Sequence, residues 1–366
     1  MTDARSPEVQ AKLALIRDAL ERHRLGAVRL RGIEAFAWAT AGGDAAVLHT
    51  VETGVAEILV TPGEAFVLTD AIEAERLGDE EVPADLEVWS APWADAHARE
   101  AFVREAAGGR AVASDRPAGA EVPLPPDVVA ARRRLLPAEI ERYRALGRDA
   151  AEAMTEALIG ARPGMTEFDL AGRASAALWA RGVHPALVLA AGDARVARYR
   201  HPIPSDARLG DRAMLVFCAR RHGLFANLTR WVYFRAPTAD ERRADADVRA
   251  VETEAFRLTR PGALLSDVYA ALAAAYDGAG RPGEILRHHQ GGTTGYAARE
   301  VVAAPHTRTA VEASTALAWN PSVPGAKVED TVLLTSRGLD VLTVDEVWPS
   351  VRGESGLLRP ALLVRP

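Results

Sequence analysis

The pattern of apolar and polar residues divides the 366-residue chain into helices and strands. Between Val9 and Leu25, apolar side chains recur at near-helical spacing with charged residues between them, which predicts a helix. Short strand-like runs follow at 27–30, 45–49, 56–61, 65–68 and 86–89, and helical patterns cover 70–77 and 96–107. Strands that alternate with helices in this way predict an α/β unit with a mixed or parallel sheet.

The most informative apolar pattern lies at 210–234, where the chain reads GDRAMLVFCARRHGLFANLTRWVYF. An apolar run at 213–219 predicts a buried strand, and residues 225–233 continue with side chains that favour strands. A tight turn is expected near residues 220–223. The segment therefore predicts a long hairpin of two strands.

An Arg-Pro-Gly sequence occurs at 162–164 and again at 260–262. Each copy separates two helical patterns, at 140–159 and 167–181 for the first and at 244–258 and 265–279 for the second. Pro and Gly interrupt helices because Pro lacks an N–H donor and Gly tolerates a positive φ. The recurrence predicts two duplicated ααβ halves whose hairpins meet at one concave site, although a chance recurrence of a common helix pair is the alternative.

Composition and charge exclude several classes of function. The chain has a net charge of −6 and is 48% hydrophobic, which predicts an ample core and argues against binding nucleic acid or an anionic membrane. The single cysteine, Cys218, excludes an internal disulfide and fits a reducing compartment. No signal peptide and no apolar run of about 18 residues is read, so a cytoplasmic location is expected.

The hairpin at 210–234 resembles the one that opens the active site of the pita-bread hydrolases, a family that includes aminopeptidase P, prolidase, methionine aminopeptidase and creatinase. The family segment reads roughly GDxxxxDxGxxxxGYxxDxTR, and its two aspartates hold a pair of metal ions. The residues that match this frame are Gly210, Asp211, Gly223, Thr229 and Arg230. The two aspartate positions, however, are occupied by Val216 and Asn227.

The resemblance continues at 287–300, RHHQGGTTGYAARE, where the family reads like HxxGHGxGxxxHE. The metal-binding histidine falls on Gly292 and the later histidine on Arg299, while Glu300 is retained. Asn320, before a proline, replaces a metal-binding glutamate, and Glu329 matches the last one. One carboxylate cannot hold two divalent ions against water, so we expect no metal and no cofactor.

The resemblance implies an α/β (α+β) fold with two domains. Residues 1–128 correspond to a creatinase-like α/β domain, and residues 129–366 to a pita-bread domain of duplicated ααβ halves around a curved, mainly antiparallel sheet. A stretch rich in Pro and Ala at 118–126 is interpreted as the linker. Two-domain relatives imply a homodimer.

The resemblance also implies the site residues. His201 matches a loop histidine that carries the proton in creatinase, so we assign catalysis to His201, His288 and Glu329. Substrate binding is assigned to Arg230, Arg299, Asn227, Asn320, Thr293 and Tyr199. Adjacent residues of a strand point to opposite faces, so at most one of His288 and His289 is expected to face the site; the family frame favours His288, and a one-residue slip would substitute His289.

Three functions are compatible with this set of residues. The first is a metal-independent hydrolase or related lyase that acts on a C–N bond of a small, carboxylate-bearing substrate. The second is a peptidase-like binding protein without catalysis, which uses the cleft for a peptide or a metabolite. The third is an Xaa-Pro peptidase with altered metal coordination. Each implies a small molecule or a short peptide as the partner.

Overall fold

A computed structural model describes residues 4–353 and 356–366, and contacts within the chain divide it into two units, one ending at Glu139 and one starting at Ile140. The domain boundary at 128/129 that the sequence suggests stays a prediction. Within the described residues, no helix has both the length and the apolar character needed to cross a bilayer.

The first unit is built on a six-stranded mixed sheet with the order β4-β3-β2-β1-β5-β6. Strands β1–β2 and β2–β3 pair antiparallel, whereas β1–β5, β3–β4 and β5–β6 pair parallel. The helices are α1 (Ser6–Arg22), α2 (Ile33–Ala39), α3 (Ala74–Arg76), α4 (Ala96–Ala106) and α5 (Pro126–Ala131), with a π-helical turn at Leu77–Glu81. The strands are β1 (Ala27–Gly32), β2 (Thr53–Val60), β3 (Ala65–Asp70), β4 (Glu87–Ala91), β5 (Val112–Ser114) and β6 (Val122–Pro123).

Most expected elements of the first unit are present, but the strand at 45–49 is wrong. That segment is irregular, and its apolar side chains Val47 and Leu48 are 57% and 61% exposed. The N–H of Val55 donates a hydrogen bond to the carbonyl of Ala45, and the segment joins no strand of the described sheets. A short apolar run does not by its periodicity distinguish a strand from a loop, which is why the pattern misled.

The second unit contains two sheets, with the orders β19-β9-β8-β7 and β11-β10-β12-β15-β16, and two short hairpins, β13-β14 and β17-β18. The helices are α6 (Pro137–Ile159), α7 (Glu167–Trp179), α8 (Asp193–Val196), α9 (Ala239–Leu258) and α10 (Leu265–Gly278), with a 3₁₀ turn at Glu284–Leu286. The strands are β7 (His184–Gly192), β8 (Arg212–Arg221), β9 (Leu224–Tyr233), β10 (Gly291–Thr294), β11 (Val301–Val302), β12 (Thr315–Trp319), β13 (Ser322–Val323), β14 (Ala326–Lys327), β15 (Asp330–Thr335), β16 (Gly338–Val341), β17 (Ser350–Arg352), β18 (Leu358–Pro360) and β19 (Leu363–Val364).

The predicted hairpin is formed by β8 and β9, which pair antiparallel from Arg212–Tyr233 to Arg221–Leu224. Its two turn residues, His222 and Gly223, both have positive φ angles, of 52° and 77°. A two-residue turn with this geometry matches the right-handed twist of the flanking strands, so it sets the register of the hairpin.

The duplicated halves are also present. The helix pair α6–α7 precedes β7, β8 and β9, and the pair α9–α10 precedes β10, β12 and β15, with an Arg-Pro-Gly turn inside each pair. Both α7 and α9 begin with a capping box, in which a threonine side chain and an acidic side chain three residues later each accept a backbone N–H. The capping boxes and the Arg-Pro-Gly turns are therefore local signals that begin and separate the helices in the same order in both halves.

Candidate functional site

Glu329 connects the two sheets of the second unit. Its carbonyl accepts a 3.0 Å hydrogen bond from the N–H of Thr229, and the two residues form an isolated β-bridge. The Glu329 carboxylate is buried; its Oε1 lies 2.6 Å from Arg299 Nη2, and its Oε2 lies 3.4 Å from Lys327 Nζ. The Thr229 hydroxyl also donates to Oε2, over 3.0 Å.

The charge of Glu329 follows from these contacts. Burial by itself would raise the pKa of Glu329, but Lys327 and Arg299 outweigh burial and lower that pKa to about 2. Glu329 is therefore a buried anion held between two cations. The sequence assigns Glu329 to catalysis, which stays a prediction, and its carboxylate contacts are with Arg299, Lys327 and Thr229.

Arg230, which the sequence assigns to substrate binding, contacts groups of the protein core. Its Nη2 lies 2.7 Å from Asp330 Oδ1 and donates to the carbonyl of Thr343 over 2.8 Å, and its Nη1 donates to the carbonyl of Thr229 over 2.9 Å. The side chain is 5% exposed. These contacts account for Arg230 structurally, and a contact with substrate stays a prediction.

Three histidines form a compact cluster. The Nε2 atoms of His201 and His288 lie 2.9 Å apart, so one ring donates a hydrogen bond and the other accepts it, depending on the tautomers. One nitrogen from each of His201, His288 and His289 lies within 4.8 Å of the others. His288 is buried, whereas His201 and His289 are exposed.

The expectation that at most one of His288 and His289 faces the site is wrong. Both rings lie close to His201, with centroid distances of 4.8 Å for His288 and 5.9 Å for His289. The physical reason is local: strand β10 begins only at Gly291, and the two histidines lie in the bend before it. The alternation of side chains that a strand imposes does not apply there.

A chain of buried hydrogen bonds holds His288 in place. Gln290 Nε2 donates to the carbonyl of His288 over 2.6 Å, and Gln290 Oε1 accepts from the Tyr276 hydroxyl over 2.8 Å. The Ser322 hydroxyl lies 3.3 Å from His288 Nδ1, and the Ser322 N–H donates to Tyr276 Oη over 2.8 Å. Because both the backbone and the second ring nitrogen of His288 are engaged, its Nε2 has a defined direction toward His201.

The surroundings keep the imidazoles neutral. Although the rings of His201 and His289 are exposed in part, partial removal from water lowers the pKa of His201, and Lys327 lowers it further. Burial and Lys327 lower the pKa of His288 to about 2, and partial removal from water together with Arg299 lowers that of His289 to about 4. At neutral pH each ring therefore offers an unprotonated nitrogen.

The loops around the histidines are joined by an ion pair between Arg200 and Glu284.

Tyr199, assigned to substrate binding from the sequence, is 42% exposed, and its ring lies 5.4 Å from the guanidinium carbon of Arg195 and 5.2 Å from that of Arg198. Both distances are typical of cation–π contacts. The structure thus places Tyr199 against Arg195, which lies in α8, and Arg198, which lies in the segment that follows α8.

The glycine at position 292 is required by the backbone. Gly292 has a φ of +152°, and a Cβ atom there would lie 2.0 Å from the carbonyl oxygen of Val301. Gly291, at a φ of +102°, would place a Cβ 1.9 Å from the carbonyl oxygen of Ala318. The Gly-Gly pair admits neighbouring strands rather than a ligand, and no side chain fits where the family places a metal-binding histidine.

Four side chains assigned to substrate binding carry a buried polar atom that lacks a hydrogen-bond partner among the described residues. These atoms are Asn227 Oδ1, Thr293 Oγ1, Arg299 Nε and Asn320 Oδ1. The Asn227 amide is fixed from its other end, because its Nδ2 donates to Thr294 Oγ1 over 3.1 Å. Buried polar groups are normally paired, so each of these atoms has hydrogen-bonding capacity that the described residues do not use.

The five positions that hold two metal ions in the pita-bread family do not fit such a centre here. Val216 and Gly292 have no side-chain donor, and Asn227 and Asn320 are neutral amides. The remaining carboxylate, Glu329, is already neutralised by two cations. This donor set does not offset the charge of two divalent ions.

Sequence reasoning missed two residues that shape the site. Lys327 is 4% exposed and lies against Glu329, and Ser322 contacts the inner nitrogen of His288. A signal for Lys327 existed, since a lysine two residues before a site carboxylate in an extended segment shares its face. Ser322 carried no such signal, because its partner is 34 positions away along the chain.

Comparisons with known proteins agree with this architecture. The family model described as metallopeptidase family M24 matches residues 141–336. Among solved structures, a dipeptidase PepE from Mycobacterium ulcerans is 18% identical, covers 100% of both chains and gives a TM-score of 0.79. An Xaa-Pro dipeptidase from Bacillus anthracis is 17% identical, with 97% of this chain and 99% of that chain covered and a TM-score of 0.77.

A third solved structure is the N-terminal domain of the FACT complex subunit SPT16 from chickpea, Cicer arietinum. It is 13% identical, with 92% of this chain and 96% of that chain covered and a TM-score of 0.70. No curated protein sequence matches the chain significantly. Likeness at these identities shows the fold, and it confirms the mixed α/β, pita-bread architecture expected from the sequence.

Proposed function

The chain belongs to metallopeptidase family M24, and from this membership we propose that it is a divergent hydrolase that works without the two-metal centre of the family. Its substrate is a small, carboxylate-bearing molecule in which a C–N bond is cleaved. The observation that carries the proposal is the 2.9 Å contact between the Nε2 atoms of His201 and His288, close enough to Lys327, Glu329 and Arg299 for their charges to act on His201.

The proposed acid–base group is His201. Its exposed ring is accessible to substrate, and its lowered pKa leaves it neutral and ready to accept a proton at pH 7. In the proposed hydrolysis, His201 accepts a proton from the attacking water and returns one to the leaving nitrogen. His288, oriented by Ser322 and Gln290, aligns the His201 ring through the Nε2–Nε2 hydrogen bond.

The charge balance favours an anionic substrate. Lys327 and Arg299 carry two positive charges against the single negative charge of Glu329, which leaves one positive charge in excess. Arg299 also keeps its Nε without a hydrogen-bond partner in the described part of the chain, so it has a donor available for a substrate carboxylate. The amides of Asn227 and Asn320 would accept hydrogen bonds from the substrate.

A second candidate is a binding protein without catalysis. The unpaired buried atoms of Asn227, Thr293 and Asn320 favour a ligand whether or not it is turned over. The third candidate, an Xaa-Pro peptidase with altered metal coordination, has support from the dipeptidase neighbours but little from the donor set. The expected homodimer and cytoplasmic location stay predictions.

The proposal is tested with a panel of amide, dipeptide and guanidino substrates, assayed with chelator present. Once a substrate is found, His201→Asn should lower kcat by about 10²–10⁴-fold, because asparagine retains similar size but no longer exchanges a proton near pH 7. Arg299→Met should instead raise KM, because its proposed role is to hold an anion. His306→Asn, which changes an exposed histidine elsewhere, serves as the control.

Full activity of His201→Asn would exclude the proposed mechanism. Binding of a carboxylate ligand to wild-type protein with no turnover of any substrate in the panel would favour the binding-protein candidate. Activity that chelator abolishes and manganese restores would instead favour the peptidase candidate.

A further inference from the structure

The histidine cluster has the composition and the spacing of a metal site that is separate from the five family positions. It offers three imidazole nitrogens within 4.8 Å of one another, on two loops that the Arg200–Glu284 ion pair joins. We propose that His201, His288 and His289 bind one divalent transition-metal ion of the Zn²⁺ or Co²⁺ type. For this cluster the proposal replaces the expectation, drawn from the sequence, that the protein holds no metal.

The geometry needs little adjustment. Zinc binds imidazole nitrogens at about 2.0–2.1 Å, so two ligands of a tetrahedral ion are about 3.3 Å apart. The Nε2 atoms of His201 and His288 are slightly closer than this, at 2.9 Å, and one nitrogen of each of the three rings lies within 4.8 Å of the others. Because the rings of His201 and His289 are exposed, binding would require these two rings to rotate toward that spacing while the buried His288 stays fixed.

The surroundings of His288 are those of a histidine ligand. Ligating histidines normally engage their second ring nitrogen with a polar group, which fixes the tautomer and the ring orientation. The Ser322 hydroxyl, 3.3 Å from His288 Nδ1, supplies that contact and leaves Nε2 for an ion. Two exposed rings give the ion a path from solvent, and three protein ligands leave a fourth position for water.

The ligand type sets the choice of ion. Imidazole suits Zn²⁺, Co²⁺, Ni²⁺ and Cu²⁺, whereas Mg²⁺ and Ca²⁺ prefer oxygen ligands, so these two should not bind. The nearby charges of Lys327, Arg299 and Glu329 sum to one positive charge, which weakens the binding of any cation. We therefore expect a reversible site rather than a permanently occupied one.

Metal binding and the proposed proton transfer exclude each other. A ring nitrogen of His201 that coordinates an ion has no lone pair with which to accept a proton from water. Occupancy should therefore inhibit the hydrolase proposed above, and a chelator should restore its activity. The binding itself does not rest on the proposed function, because it is measured without a substrate.

The site is tested by titrating Co²⁺ into tag-free, chelator-stripped protein while recording the visible d–d absorption, with isothermal titration calorimetry of Zn²⁺ in parallel. We expect one ion per chain, an intense spectrum of the four-coordinate type, and no heat with Mg²⁺. His289→Ala should weaken binding by more than about 10-fold, and Ser322→Ala by about 10-fold, as is typical for the loss of a partner of a ligand. His306→Ala, a change of an exposed histidine outside the cluster, should bind like wild type.

The variant His289→Ala is informative because it removes an exposed ligand and leaves the buried contacts of His288 intact. If Co²⁺ gives no such spectrum, or if His289→Ala and His201→Asn bind Co²⁺ as tightly as wild type, the site does not exist. That result would leave the proposed hydrolysis standing. Conversely, a protein that binds one ion but turns over no substrate supports the site and counts against the hydrolase.

Discussion

Glu329 and Asp330 are neighbours in the chain, yet they belong to two different electrostatic environments. Asp330 lies in a buried network in which each carboxylate oxygen faces an arginine, Oδ1 at 2.7 Å from Arg230 Nη2 and Oδ2 at 2.8 Å from Arg359 Nη2. Arg359 in turn binds Glu252, with Nε 2.8 Å from Oε2. The charges of two arginines and two carboxylates balance each other in this network, although Asp330 Oδ2 and Arg359 Nη1 lack a hydrogen-bond partner among the described residues.

Glu329 lies in a region that is not balanced. Two cations, Arg299 and Lys327, face one carboxylate, and buried oxygen atoms of Asn227, Thr293 and Asn320 lack partners within residues 4–353 and 356–366. Burying an unpaired polar group costs stability, and a protein keeps such a group where a ligand uses it. The comparison teaches that charge is balanced around Asp330, whereas one positive charge is in excess around Glu329, and this excess is the reason for proposing an anion site there.

The largest effect is expected where the balanced network around Asp330 is broken. Arg359→Met removes the guanidinium that lies 5.0 Å from the Phe256 ring centroid and leaves Glu252 and Asp330 without their shared cation, so the free energy of unfolding should fall by about 3–5 kcal/mol. Urea unfolding measures the loss. Glu156→Ala, which removes an exposed partner of Arg181, should change stability by less than about 0.5 kcal/mol. Equal losses in the two variants would contradict the comparison.

A smaller effect is expected from Glu329→Gln, which removes the anion of the region with excess positive charge. Charged hydrogen bonds contribute about 1.5–3 kcal/mol each, and the variant should lose about that much at pH 7. It should also bind small carboxylates more tightly, because Arg299 and Lys327 then lack their counter-charge. A thermal shift with acetate or glutarate that is no larger in the variant would count against an anion site.

The same variant predicts a change in acid stability. The pKa of Glu329 is lowered from 4.5 to about 2, so the unfolded chain binds more protons than the folded chain between these values. The stabilisation is therefore complete above about pH 4.5 and is lost as the pH falls toward 2. In Glu329→Gln the free energy of unfolding should fall less steeply as the pH is lowered from 4.5 to about 2. In Glu156→Gln the dependence of the free energy of unfolding on pH should match that of the wild type.

The smallest effect distinguishes a paired threonine from an unpaired one. The Thr331 hydroxyl donates to the carbonyl of Asn227 over 3.0 Å and accepts from its N–H over 2.7 Å, so Thr331→Val should cost about 1–3 kcal/mol. Thr293 Oγ1 has no partner in the described chain, so Thr293→Val should be neutral or slightly stabilising. A large loss in Thr293→Val would mean that its hydroxyl is satisfied without a ligand.

Much of the fold was predictable because its signals are local. The β8–β9 hairpin is encoded by two apolar runs and a His222-Gly223 turn, and the repeated Arg-Pro-Gly turns separate both helix pairs. The strand expected at 45–49 failed because a short apolar run carries no unique local signal. The family resemblance also identified the candidate site residues by position, including His201, Arg299 and Glu329.

The amino-acid sequence by itself determined which donors the site has: histidines, arginines, amides and one carboxylate in place of the metal ligands of the family. Only the tertiary structure decided how they are combined, since the partners are far apart in the chain. It placed His201 against His288, 87 positions away. It also paired Glu329 with Arg299, whereas Arg230 pairs with Asp330, 100 positions away. Side-chain pairing across such separations depends on strand register and loop conformation, which no local pattern of residues specifies.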